Sequence, residues 1–86
     1  QMQLFPEAIR FRKTKRQWGS CSGKNVLSFN TMLMKLPEEV IAYVVVHELT
    51  HICCKNHSPE FWSLVGNFMP DYREKEEKIK GFEKLL

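Results

Sequence analysis

Residues 37–58, PEEVIAYVVVHELTHICCKNHS, decide how this 86-residue chain folds. Val40, Ile41, Val44, Val45 and Val46 are β-branched and taken alone would suit a strand. Three features decide for a helix instead. Pro37 opens the segment, Glu38 and Glu39 sit where the positive end of a helix dipole favours acids, and His47 and His51 are spaced one helical turn apart. The stretch reads as a buried helix of about 18 residues, roughly 27 Å long. Apolar residues nearly all round it place it inside the core.

Within that helix the run His47-Glu48-Leu49-Thr50-His51 has the pattern H-E-x-x-H. Side chains at i and i+4 are neighbours about 5 to 6 Å apart at Cβ. Two imidazole nitrogens can therefore both come within about 2.0 to 2.1 Å of one Zn²⁺. Glu48 projects about 100° around the helix from His47, so it is expected to act as a base on a water molecule and not as a ligand. All three histidines of the chain fall in one eleven-residue window, which makes a chance pattern a poor explanation.

A catalytic zinc needs a third protein ligand and an open fourth position. His57 is expected to be that third ligand. Cys54, Lys55 and Asn56 give the chain room to leave the helix and turn back, and Asn56 tolerates the left-handed backbone such a turn can need. The histidine spacing matches that of metzincins, but Cys54 stands at their glycine position and no Met-turn is evident.

Upstream, Ile9 and Phe11 alternate with charged residues as in a half-buried strand, and Ser22-Gly23-Lys24-Asn25 reads as a turn. Leu27, Phe29, Thr31 and Leu33 share one face of a second strand. The expected unit is an antiparallel hairpin, about 8 to 20 paired with 26 to 34. Downstream, Ser58 and Pro59 open a second helix with Phe61, Trp62, Val65, Phe68 and Met69 as its apolar stripe. Pro70 ends it, and Asp71 with Glu74 resembles a capping box for a last helix carrying Ile79, Phe82 and Leu86. The fold class is α+β, a β-sheet packed on a buried metal-binding helix with two C-terminal helices.

Eighty-six residues make one small domain, 1–86, expected to bury little more than ~60% of its unfolded surface. The chain starts at Gln1 and reads as the C-terminal part of a longer one. No signal peptide is evident, and the apolar run Val40 to Val46 is far short of the ~20 residues that span a bilayer. Three cysteines, Cys53 and Cys54 adjacent, provide no disulfide framework, which points to the cytoplasm. The net charge is +3, with Arg10, Arg12, Lys13, Lys15 and Arg16 crowded into seven positions. Such a strip can hold phosphates, but it also protects an edge strand from sheet-to-sheet pairing. Few aromatics are interleaved for base stacking, so nucleic acid is not indicated.

Three segments together resemble the YgjP-like family of zinc metallopeptidases. They are Lys15-Arg16-Gln17-Trp18-Gly19-Ser20-Cys21-Ser22, the histidine motif with Asn56-His57-Ser58, and Phe61-Trp62 through Met69-Pro70-Asp71-Tyr72. The resemblance covers about residues 9 to 75 and extends to SprT-like and WLM domains, some of which act on DNA-associated proteins. It implies a zincin-like fold in which His47, His51 and His57 bind Zn²⁺ and Glu48 is catalytic. Gln17 stands where relatives often carry arginine. Trp18, Gly19 and Ser20 match, and their economical role is structural, at the edge of the cleft.

The expected activity is that of a zinc-dependent peptidase acting on a peptide or protein, with an extended substrate added to a sheet edge beside the site. Tyr72 is a candidate oxyanion donor, but packing against the last helix is the favoured role. Asp71 is a candidate carboxylate behind a ligand histidine, against its capping role. The same metal and base would also serve a phosphorylated small molecule such as a nucleoside triphosphate, its phosphates held by the basic strip. In a third alternative, a non-catalytic zinc or nucleic-acid-binding module, Cys54 closes the site as fourth ligand. Closed sites do not hydrolyse.

Overall fold

The structure, a computed structural model, describes residues 5–86. Three strands, β1 (Ala8–Arg12), β2 (Gly19–Cys21) and β3 (Val26–Asn30), form one sheet in the order β1-β3-β2. Three helices follow: α1 (Glu38–Cys53), α2 (Pro59–Phe68) and α3 (Tyr72–Lys80). The architecture is α+β, as the sequence implies.

The sheet is not the single hairpin expected from the alternation. β2 pairs with β3 antiparallel, Ser20 opposite Ser28, but β1 pairs with β3 in parallel, Ile9 opposite Leu27 and Phe11 opposite Phe29. The segment 13–18 carries the chain from one side of β3 to the other, so β3 slots between the two strands that precede it.

A single buried side chain holds that crossing. Asn30 Nδ2 donates to the carbonyls of Thr14 at 2.7 Å and Gln17 at 3.0 Å, while its Oδ1 accepts from Met32 N–H at 3.0 Å. The last bond caps a 3₁₀ turn over Thr31–Lys35, where the sequence pattern suggested a continuing strand. Asn30→Ala leaves these backbone groups without partners and is expected to cost about 2 kcal/mol of stability. Urea unfolding of the two proteins measures this, and an unchanged midpoint would contradict it.

Ile9 and Phe11 are 53% and 68% exposed, not half-buried as their alternation implied. β1 lies at the edge remote from β2, and α1 packs against β2. One side of α1 is buried: Val40, Tyr43 and Val44 join Trp18, Leu27, Phe29, Leu33, Leu36 and Ile79 in the core. Ile41, Val45 and Val46, on its other sides, are only partly covered. The helix runs for 16 residues and ends at Cys53.

The turn at Ser22–Asn25 forms as read, with Asn25 N–H donating to Ser22 O at 3.0 Å and Asn25 itself at φ 64°. Asparagine tolerates that left-handed backbone better than most residues. Asn56 does not adopt it; the chain leaves α1 through Cys54 in extended backbone, φ −127°. Ser58 caps α2 as expected, its side chain accepting from Phe61 N–H. Asp71 makes no side-chain cap on α3. Its carboxylate instead meets Lys75 Nζ at 3.0 Å, and Lys75, itself buried, also reaches Glu39 at the start of α1 at 3.5 Å. That cluster fixes α3 beside α1.

Candidate metal centre

α1 ends where α2 begins, and the junction gathers the histidines. The ligand atoms of His47, His51 and His57 all lie within 4.8 Å of one another. Their rings sit 4.8 to 5.2 Å apart by centroid. His47 and His51 come from one face of α1, and His57 is brought back by the short link before the Ser58 cap.

Two of the rings have one nitrogen already engaged by the chain. His51 Nδ1 lies 2.9 Å from the carbonyl of Cys54, so as the N–H tautomer it donates there and leaves Nε2 for a ligand. His47 Nδ1 lies 3.1 Å from Glu48 Oε2, again leaving Nε2. Desolvation among the neighbouring rings, followed by the proximity of His47 and His51, lowers the pKa of His57 and favours the neutral, ligating form.

Phe61 forms the floor. It is fully buried, with its ring 5.1 Å from His47, 4.5 Å from His51 and 5.0 Å from His57. A stacked column continues from it: His57 on Trp62 at 5.8 Å and Trp62 on Tyr72 at 5.4 Å. Tyr72 thus packs within the aromatic column, and its hydroxyl accepts from Arg73 Nε at 3.3 Å. Asp71 is committed to Lys75 and contacts no histidine among the described residues.

Glu48 is 6% exposed and turned toward β2. A Cβ built on Gly19 would lie 3.0 Å from Glu48 Cγ and 3.4 Å from Oε2, so the carboxylate is wedged between the His47 ring and the bare backbone of Gly19. This explains why glycine follows Trp18 better than a generic tight turn does. Cys54, weighed as a fourth ligand, is not part of the cluster; it contributes its backbone carbonyl.

Several participants carry no signal of their own in the sequence. The roles of Gly19 against Glu48 and of the Cys54 carbonyl behind His51 depend on how strand and helix dock. Phe61 reads as ordinary core, and only the spacing to His57 hints that it lies beneath the histidines.

A model of the YgjP-like metallopeptidase domain matches residues 1–82. The chain belongs to this family. Two solved structures share the YgjP-like chain's fold, both of metallopeptidase zymogens. Pyrococcus abyssi abylysin is 27% identical, with a TM-score of 0.76 over 87% of this chain and 77% of that one. Methanocaldococcus jannaschii jannalysin is 28% identical, with a TM-score of 0.73 over 92% and 80%. The resemblance read from the motifs and the zincin-like fold it implied thus agree with the family and with these structures. A curated relative, the UTP pyrophosphatase of Escherichia coli (strain K12), is 32% identical over 60 residues. That match covers 70% of this chain but only 36% of the relative, so the chain spans about a third of its length. The family implies a divalent metal, and three imidazoles converging from two segments suit one. No helix among the described residues is long and apolar enough to cross a membrane.

Proposed function

We propose that this domain is a zinc-dependent metallopeptidase in which His47, His51 and His57 hold the metal and Glu48 is the general base. The observation that carries it is the convergence of three imidazoles, two with their second nitrogen engaged by the chain, beside a buried carboxylate. Zinc bound there would polarise the scissile carbonyl and acidify a water molecule to a pKa near 7. Glu48 would take a proton from the attacking water molecule as the water oxygen bonds to the carbonyl carbon. It then passes the proton to the amine as the carbon–nitrogen bond breaks. The wedge between His47 and Gly19 keeps the carboxylate in place for both transfers. β2 is an edge strand beside α1, so an extended peptide can add to it and lie across the site.

Substitution tests the ligand set. His57→Ala is expected to abolish near-stoichiometric zinc binding, because two imidazoles alone leave the metal half-coordinated, whereas Cys54→Ser leaves the zinc content unchanged. Metal analysis of both variants after dialysis decides. Retention in the first with loss in the second would replace the three-histidine site by a cysteine site.

A second reading, hydrolysis of a nucleoside triphosphate, is favoured by the likeness to the UTP pyrophosphatase and by one feature of the sheet. A polar cleft of about 420 Å³ is lined by Arg12, Thr14, Arg16, Ser20, Ser28 and Asn30 among others, and it also borders Gly19. Neither guanidinium pairs with a carboxylate among the described residues. The position of β1 at the sheet edge equally suits the edge-protecting role of Arg10 and Arg12. Zinc-loaded protein offered peptides, folded proteins and nucleoside triphosphates separates the two. Peptide cleavage indifferent to neutralising Arg12 and Arg16 is the expected outcome. Triphosphate hydrolysis that needs both Glu48 and these arginines, with no peptide cut, would reverse the order.

A further inference from the structure

Beside His47 and Glu48 a second cleft opens between α1, α3 and the start of β2. Its volume is about 210 Å³, room for one long side chain. The walls are Trp18, Tyr43, Val44 and Ile79, and the rim carries Glu76, Lys80 and Glu83. Lys80 is drawn toward Glu77, 3.4 Å away on the same helix. Glu76 and Glu83 have no cationic partner among the described residues.

The chemistry of the cleft is therefore an apolar, aromatic channel with unpaired carboxylates at its mouth. An alkyl chain removed from water by Val44 and Ile79 gains hydrophobic free energy, and a cationic head gains from both the indole and phenol faces and the rim acids. A purely apolar side chain would leave those acids unused. An acidic one would meet Glu76, Glu83 and Glu48. Trp18, only 7% exposed, has an indole N–H without a partner among the described residues, an unusual state for a buried donor.

Resting on the peptidase reading, we propose that this cleft receives the substrate side chain next to the scissile bond and selects lysine or arginine. Glu76 and Glu83 are the specificity-determining residues, and the walls from Trp18, Val44 and Ile79 hold the alkyl stem.

Two measurements on the zinc-loaded protein test the proposal. The first follows the Trp18 indole N–H resonance, identified by its loss in Trp18→Phe, during titration with n-butylammonium, n-butyrate and uridine. The proposal expects a saturable shift with the amine alone, and Glu76→Gln/Glu83→Gln should remove it. No shift with the amine, or a shift with uridine or butyrate instead, would overturn it. The second uses peptides that vary one residue at a time, with products identified by mass. Cleavage beside lysine or arginine is expected to exceed that beside norleucine by about tenfold, the worth of one charge-assisted contact. The double variant should lower the basic substrates to the norleucine level. Cleavage without a basic preference would sink the proposal and keep the peptidase. Amine binding without cleavage of any peptide would support the chemistry of the cleft and remove the peptidase reading.

Discussion

Glu48→Gln is expected to keep the metal and to lose turnover by about 10²- to 10⁴-fold, the usual contribution of a positioned general base. The amide has the size of the carboxylate, and its oxygen can still accept from His47 Nδ1, the contact now made at 3.1 Å. It fits the same gap beside Gly19, where a single added carbon would already lie 3.0 Å from Glu48 Cγ. What it cannot do is accept and return a proton. The loss should therefore appear in kcat with zinc content unchanged. Metal analysis and steady-state kinetics on the same preparation check this, and equal kcat in the two proteins would end the assignment of Glu48 as base.

Phe61→Ala should have the largest effect on stability, about 3 to 5 kcal/mol, as for other fully buried phenylalanines truncated to alanine. The ring touches all three histidines and Trp62, so its loss opens a cavity beneath the candidate metal centre as well as in the core. Zinc affinity should fall with it, because rings that are free to tilt pay more to meet a metal. Chemical unfolding with and without saturating zinc separates the effects: truncation lowers the midpoint in both conditions, and the stabilisation added by zinc also shrinks. A loss below about 1 kcal/mol would mean that the cavity collapses and that Phe61 does not hold the rings.

The site was far more legible in the sequence than the sheet. His47, Glu48 and His51 lie in five consecutive residues of α1, and His57 follows in the short link after it, so helical periodicity and one cap at Ser58 suffice to bring the rings together. The pairing of β1 depended on Asn30, a single polar residue whose amide draws the segment 13–18 across the end of β3. Alternation of Ile9 and Phe11 carries no information about which neighbour a strand takes or whether a helix covers it. The capping box at Asp71 failed for a related reason: Lys75, one helical turn on and tied to Glu39 of α1, competes for the same carboxylate. Local signals hold where the partner is near in the chain, and tertiary contacts override them elsewhere.

The most direct measurement is X-ray absorption at the zinc edge of the metal-loaded protein. Three nitrogen ligands at about 2.0 to 2.1 Å with an imidazole signature and one further light atom are expected, with no sulfur near about 2.3 Å. That is the signature of an open site held by His47, His51 and His57. A sulfur in the shell, or two imidazoles in place of three, would contradict it.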